Sequence, residues 1–161
     1  MRAGIALGSN LGDRQAFLTQ ALCDLESLHE EGEFLASPFL ETAPQDCPPE
    51  SPNFLNAVVE IETSLRPPAL LEALQQLEVK AGRSKNHNFH EPRTLDLDIL
   101  YYGEEVLDEP GLQLPHPRIR ERYFVLKPLA DIRPNLTLPG WSYSCLEYLF
   151  HYSNNAIQSI A

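Results

Sequence analysis

One segment, from Pro92 to Leu100, constrains the fold of this chain more than any other. Its sequence, PRTLDLDIL, alternates apolar and polar residues, which is the period of a β-strand with one buried face. Asp96 and Asp98 would then project from the same face, with their backbones roughly 6.5–7 Å apart. Two carboxylates at this spacing repel each other unless a cation lies between them, and Mg²⁺ commonly takes one or two carboxylates plus substrate phosphates. The pair therefore indicates either a divalent metal site or the solvated acidic face of an amphipathic strand.

The composition favours one domain. A length of 161 residues with 43% hydrophobic and 22% charged residues is typical of a soluble globular protein with a full core. No apolar run approaches the ~20 residues that a membrane helix needs, and the amino terminus lacks the pattern of a signal peptide. Cys23, Cys47 and Cys145 form no CxxC motif, which is typical of free thiols in a reducing compartment. We expect one domain over residues 1–161, located in the cytoplasm and without a membrane partner.

The charge is unevenly distributed along the chain. The net charge of −11 argues against general nucleic-acid binding. Residues 80–133, however, contain nine of the twelve Lys and Arg residues. Asp96 and Asp98 are among nine acidic residues in the same segment, which is therefore neutral, whereas the rest of the chain carries the net charge of −11. Clustered arginines beside a divalent metal site are what a polyphosphate substrate requires.

Hydrophobic periodicity predicts an α+β fold. The elements follow in the order β-α-β-β-α-β, which is the ferredoxin-like arrangement with an antiparallel sheet. Both helices would cover one face of the sheet, and additional C-terminal elements after Tyr101 would cover the other face. These C-terminal elements include short helical stretches near 118–130 and 143–152. The predicted strands and helices are 5–7, 13–29, 33–42, 55–61, 67–82 and 94–100.

Two segments could contact a ligand, but neither is decisive alone. No GxxxxGK[ST] motif is present, so a P-loop does not hold phosphate here. Gly8-Ser9-Asn10 follows the first predicted strand and could present backbone N–H groups to a ligand, although a simple turn is the favoured interpretation. The polar segment 83–92 lacks large aliphatic residues, and we expect it to act as a lid that closes over bound substrates.

Seven blocks of sequence, spread from about residue 3 to 140, resemble one enzyme family, the 6-hydroxymethyl-7,8-dihydropterin pyrophosphokinases. The blocks are Gly8-Ser9-Asn10-Leu11, Thr42-Ala43-Pro44, Asn53-Phe54-Leu55-Asn56-Ala57, Glu78 with Gly82-Arg83, Pro92 to Leu100, Leu114-Pro115-His116-Pro117-Arg118 and Arg122 to Leu129. The resemblance implies a ferredoxin-like α/β sandwich. It also implies transfer of pyrophosphate from ATP to the hydroxymethyl group of the pterin, with release of AMP, in folate biosynthesis.

The resemblance further implies which residues bind the metal ions and ATP. Asp96 and Asp98 match the ligands of two Mg²⁺ ions, and ATP is the co-substrate. The positions that match catalytic residues are Arg83, Arg93, Asp96 and Asp98. The positions that match the ATP site are Glu78, Arg83, Lys85, Arg93, His116 and Arg122. Glu91 stands where relatives commonly have Gly, so closure of the lid is expected to differ here.

A third group of matches concerns the pterin. Phe54 and Phe124 match the aromatic pair that sandwiches the flat ring, whereas without the resemblance both would be read as core residues. The complete pterin set is Thr42, Ala43, Pro44, Phe54, Asn56, Asp96 and Phe124. We expect a monomer with these two small-molecule substrates and no nucleic-acid partner. The alternative is a non-catalytic ferredoxin-like regulatory module that binds a small molecule.

Overall fold

The strand β1 is the centre of the sheet, and the rest of the fold is arranged around it. The computed structural model describes residues 1–44, 48–82 and 93–160, with side chains to residue 155. The strands are β1 (Arg2–Ser9), β2 (Leu35–Ala36), β3 (Leu40–Thr42), β4 (Phe54–Glu62), β5 (Asp96–Tyr102), β6 (Leu107–Glu109) and β7 (Leu112–Leu114). The helices are α1 (Arg14–Leu28), α2 (Pro67–Lys80), a 3-10 turn (Ile119–Glu121), α3 (Tyr123–Ile132) and α4 (Cys145–Ile160).

The main sheet is antiparallel and confirms the predicted ferredoxin-like α+β fold. Its strand order is β2-β4-β1-β5, with β3 pairing to the same strand, β4, as β2 does. β1 pairs antiparallel with both β4 and β5. Two helices also begin as predicted, since the Asp13 side chain accepts a hydrogen bond from the Ala16 N–H at 3.0 Å and Pro67 opens α2.

The predicted single strand over 33–42 is wrong, because the structure divides it into β2 and β3. Pro38 has no N–H to donate to a sheet. Ser37 instead bonds Val58 twice: its N–H donates to the Val58 carbonyl, and its hydroxyl oxygen accepts the Val58 N–H, each at 2.9 Å. The hydroxyl thus satisfies a donor of β4 that a continuous neighbouring strand would have satisfied.

The two faces of the sheet are buried against different helices. One face packs on α1 and α2 through residues such as Ile5, Leu7 and Leu97, and we call it the α1/α2 face. The other face packs on α3 through Val58, Leu100 and Tyr101, and we call it the α3 face. Truncating a fully buried leucine in either core would cost about 2–5 kcal/mol.

A β-bulge shifts the register between β1 and β5 and thereby changes which face the later residues of β5 join. The pairing of β1 with β5 shifts between Gly4 and Ile5, so Gly4 lies opposite Tyr101 and Ile5 lies opposite Ile99. Leu100 is therefore the extra residue, and both it and Tyr101 belong to the α3 face. Strict alternation before the bulge leaves Asp96 and Asp98 on the α3 face, where the helices that follow β5 can reach them.

Two further findings bear on the expectations from sequence. No helix in the described part of the chain is long and apolar enough to cross a membrane. Cys23 is exposed and Cys145 is buried, and both are free thiols, while Cys47 lies outside the described residues.

Candidate active site

Asp96 and Asp98 project from the α3 face of β5, as their spacing predicted. Asp96 lies opposite Gly8 and Asp98 opposite Ala6 on the neighbouring strand. Both carboxylates are only partly buried. The neighbouring strand β1 therefore presents only a glycine and an alanine opposite the two carboxylates.

Arg93 forms an ion pair with Asp96. Its Nη1 donates to Asp96 Oδ2 at 2.9 Å, and both side chains are about one-fifth exposed, at 20% and 23%. A charge-assisted hydrogen bond at this depth is stronger than a fully exposed ion pair. The predicted juxtaposition of an arginine and the carboxylate pair is thus present in the fold.

Glu78 reaches the same strand from α2. It is 7% exposed, and its Oε1 accepts the Leu97 N–H at 2.8 Å. β5 is an edge strand of the sheet, so this carboxylate satisfies a main-chain donor that no strand pairs with. Glu78 therefore anchors β5 at the residue between Asp96 and Asp98.

His116 lies close to the carboxylate pair and is neutral at pH 7. The main-chain N–H of His116 donates to the Leu100 carbonyl at 2.7 Å, and the ring Nδ1 accepts the main-chain N–H of Arg118 at 3.1 Å. Burial, then the charges of Arg122 and Arg118, lower the pKa of His116 from 6.5 to about 4, while the Asp96 carboxylate opposes this shift. Because Nδ1 is an acceptor, the ring proton is on Nε2, which makes Nε2 a donor for a ligand oxygen or nitrogen.

Arg122 and Phe124 come together where α3 begins. The Arg122 Cζ lies 5.7 Å from the centroid of the Phe124 ring, and Arg122 precedes the first residue of the helix. Phe124 is half-buried and packs against the core of the α3 face. α3 therefore presents one cationic and one aromatic side chain at the edge of that core.

Asn56 and Phe54 lie over Gly8, on the opposite side from Asp96. A Cβ on Gly8 would lie 3.5 Å from Asn56 Oδ1 and 3.7 Å from Phe54 Cδ1. The Asn56 Nδ2 donates to Thr42 Oγ1 at 2.9 Å and to the Leu40 carbonyl at 3.2 Å, which leaves Oδ1 directed over the glycine. The sequence favoured a turn at Gly8-Ser9-Asn10, with backbone contact to a ligand as the alternative. The favoured turn is wrong for the first two residues, because Gly8 and Ser9 belong to β1.

One row of residues crosses three neighbouring strands, β4, β1 and β5, at this point. Gly8 pairs with Asn56 on β4 and with Asp96 on β5. Since neighbouring strands lie about 4.8 Å apart, the two polar residues are separated by about 9.6 Å across the glycine. A ligand lying across the glycine would therefore meet a polar residue on each side.

Four of the predicted site residues are not placed by these contacts. Arg83 and Lys85 lie outside the described residues, as does the whole predicted lid, 83–92. Ala43 and Pro44 directly follow β3, where Ala43 is exposed and Pro44 is half-buried. Their roles stay predictions.

Comparisons with known proteins agree with this fold and identify the family. A Plasmodium falciparum HPPK-DHPS chain crystallised with pteroate superposes with a TM-score of 0.76 at 14% identity, covering 94% of this chain and 44% of that one. This likeness shows the ferredoxin-like α+β fold, and our chain spans less than half of that solved chain. The family model of 7,8-dihydro-6-hydroxymethylpterin-pyrophosphokinase (HPPK) matches residues 4–134.

Curated relatives agree with the family model. The 2-amino-4-hydroxy-6-hydroxymethyldihydropteridine pyrophosphokinase of Pseudomonas aeruginosa is 44% identical over 138 residues, covering 86% of this chain and 84% of the relative. The Bacillus subtilis protein of the same name is 45% identical over 130 residues, covering 81% and 77%. The chain belongs to the HPPK family, and the resemblance inferred from sequence blocks is confirmed.

Proposed function

We propose that this chain transfers pyrophosphate from ATP to 6-hydroxymethyl-7,8-dihydropterin at the α3 face of β1 and β5. The family assignment confirms the predicted activity: the chain is an ATP-dependent pyrophosphokinase of folate biosynthesis. The assignment of individual residues to this reaction is our proposal. The single observation that carries it is the row formed by Asn56, Gly8 and Asp96, which continues along β5 to Asp98.

We assign the pterin to the space above Gly8. Phe54 and Phe124 would contact the two faces of the ring, and Thr42, Asn56 and Asp96 would bond its polar edges. The Asn56 amide is suited to this task because Thr42 and Leu40 already fix its NH₂ group, which orients Oδ1 as an acceptor. The same set extends to Ala43 and Pro44, which follow Thr42 in the chain.

The donor set at Asp96 and Asp98 fits Mg²⁺. Both donors are carboxylate oxygens, and in the described part of the chain no cluster of three or more His, Cys, Asp or Glu side chains could form a complete metal cage. Mg²⁺ typically binds one or two carboxylates and takes its other ligands from phosphates and water. When bound here, two such ions would neutralise charge on the attacking and leaving oxygens. The number of two ions is part of the proposal.

We assign the ATP phosphates to the space beside the carboxylate pair that Arg93 and Arg122 border. Arg93 and Arg122 would neutralise phosphate charge, His116 would donate from Nε2, and Glu78 would hold β5 in place. Arg83 and Lys85 complete the proposed nucleotide set from the sequence resemblance. The pterin hydroxymethyl oxygen would attack the β-phosphorus and lose its proton to solvent. The bond from that phosphorus to the α-phosphate oxygen would break, so that AMP leaves.

The products distinguish this reaction from its alternatives. Purified protein with Mg-ATP and the hydroxymethyldihydropterin should yield AMP and the pterin diphosphate in equal amounts. ADP in place of AMP would indicate transfer of a single phosphoryl group. Binding of both ligands without any nucleotide product would favour the regulatory module.

The remaining expectations concern the state of the protein in the cell. We propose that residues 1–161 act as one domain and as a monomer in the cytoplasm, with no nucleic-acid or membrane partner. One observation supports a single unit: both hydrophobic cores are built on the same sheet. Light scattering at micromolar concentration tests the monomer, because a dimer would double the measured mass.

A further inference from the structure

Asn10, the residue directly after β1, holds the main chain of Arg93 on both sides. Its Oδ1 accepts the Arg93 N–H at 2.7 Å, and its own N–H donates to the Arg93 carbonyl at 3.0 Å. The two residues are 83 positions apart in the chain, and Asn10 is only 2% exposed. A reciprocal pair fixes the orientation of the partner's backbone as well as its position, which a single hydrogen bond does not.

The guanidinium of Arg93 depends on this anchor for its placement. Nη1 bonds Asp96, but Nε is buried and has no acceptor among the described residues. A buried donor without an acceptor disfavours the conformation that buries it. Among the described residues the side chain is thus held through Nη1 but not through Nε, and the fixed backbone supplies a further constraint.

The residue next to Asn10 provides a matched control. Ser9 is fully buried, and its Oγ has no hydrogen-bond partner in the described part of the chain. Replacing Ser9 with Ala removes a buried polar group at the same end of β1 without removing a bond to Arg93.

We propose that Asn10 is a positioning residue for pyrophosphate transfer: by fixing the Arg93 backbone, it keeps the guanidinium beside Asp96, where the ATP phosphates bind. This inference rests on the phosphate-binding role of Arg93 in the proposed function. It also gives a role to the end of the Gly8-Ser9-Asn10 segment, in which Gly8 and Ser9 belong to β1 and Asn10 directly follows the strand.

The test is a double-mutant cycle between Asn10→Ala and Arg93→Ala, with Ser9→Ala as the control. Asn10 affects the transition state only by positioning Arg93. Asn10→Ala should therefore lower kcat about tenfold and leave the KM of the pterin within about twofold of the wild-type value. In the Arg93→Ala background, the same change should alter kcat by less than about twofold, since the group it positions is gone. Ser9→Ala should keep the wild-type kcat.

Three results would overturn the inference. The first is a folded Asn10→Ala enzyme with the wild-type kcat. The second is an equal loss of kcat in both backgrounds, which would mean that Asn10 does not act through Arg93. The third is a fully active Arg93→Ala enzyme, which would also refute the proposed role of Arg93, whereas the first two leave that role intact. If Asn10→Ala does not fold, Asn10→Gln serves instead: it keeps the amide but displaces the acceptor by one methylene, and a wild-type kcat in that variant overturns the inference equally.

Discussion

Gly8→Ala is the sharpest perturbation of the proposed pterin site. The new Cβ would lie 3.5 Å from Asn56 Oδ1 and 3.7 Å from Phe54 Cδ1, which are ordinary contact distances. Gly8 does not have the positive φ that favours glycine, so the protein should fold with an unchanged or slightly higher melting temperature. The methyl group would, however, occupy the space in which the ring lies. An added methyl in a packed pocket is worth about 1–3 kcal/mol, so the KM of the pterin should rise about 10–200-fold.

The assay measures the KM of each substrate separately, together with the melting temperature. The KM of ATP should change by less than about twofold, because the phosphates are assigned to the opposite side of Asp96. Gly4→Ala provides the contrast on the same face of β1: its Cβ would meet Tyr101 Cε1 at 2.2 Å, so this variant should lose stability. An unchanged pterin KM in Gly8→Ala would refute the placement of the ring over this glycine.

Four further predictions test the site and the fold. Asp96→Asn and Asp98→Asn should each abolish turnover while thermal melts show a folded protein, because both side chains lie on the polar side of β5; a folded and active variant would remove the metal-ligand assignment. In steady-state kinetics, Arg83→Ala should lower kcat far more than it raises the KM of ATP. A cation that stabilises the charge developing in the transition state lowers the activation free energy by roughly several kcal/mol. His116 has a pKa lowered from 6.5 to about 4 in the folded state, so its contribution to stability is fully present above pH 6.5 and is lost as the pH falls toward about 4. In urea melts across this pH range, His116→Gln should weaken the pH dependence of the unfolding free energy. An unchanged pH dependence in this variant would contradict the prediction. Tyr101→Phe removes the hydroxyl that donates to buried Glu60 and should cost about 1–3 kcal/mol of unfolding free energy with kcat unchanged.

The sequence predicted the elements whose pattern is local. The alternation around Asp96 and Asp98 identified β5 and the face on which both carboxylates lie, because side-chain direction in a strand has a period of two residues. The predicted start of that strand was wrong, since β5 begins at Asp96 and ends at Tyr102. Before β5 a distant residue takes part in the main-chain bonding, because the Arg93 N–H bonds the Asn10 side chain and the Arg93 carbonyl accepts the Asn10 N–H.

Other features depend on contacts that no local pattern encodes. Glu60 is 2% exposed and accepts hydrogen bonds from the Tyr101 hydroxyl and, at 2.8 Å, from Arg133, which lies 73 residues away. On its own strand Glu60 interrupts an apolar run, and nothing nearby in sequence indicates that two distant residues stabilise its charge. The place of Gly8 in the site was missed for the same reason, because its neighbours Asn56 and Asp96 come from two other strands.

The hairpin of β6 and β7 was also missed, although a signal for it was present. Pro110-Gly111 lies between the two strands, and Gly111 has a φ of +79°, a conformation that glycine adopts readily. A Pro-Gly pair of this kind is a turn signal. The flanking strands are three residues each, which is too short for a periodic pattern to identify them.

A crystal structure with Mn²⁺ in place of Mg²⁺, an unreactive ATP analogue and the pterin would test the central claim most directly. Anomalous scattering from Mn²⁺ would locate the metal independently of the protein coordinates. We expect metal density bonded to Asp96 and Asp98 and to the phosphates, with the pterin ring over Gly8 between Phe54 and Phe124. Metal bound at other side chains, or a ring that does not contact Gly8, would contradict the account.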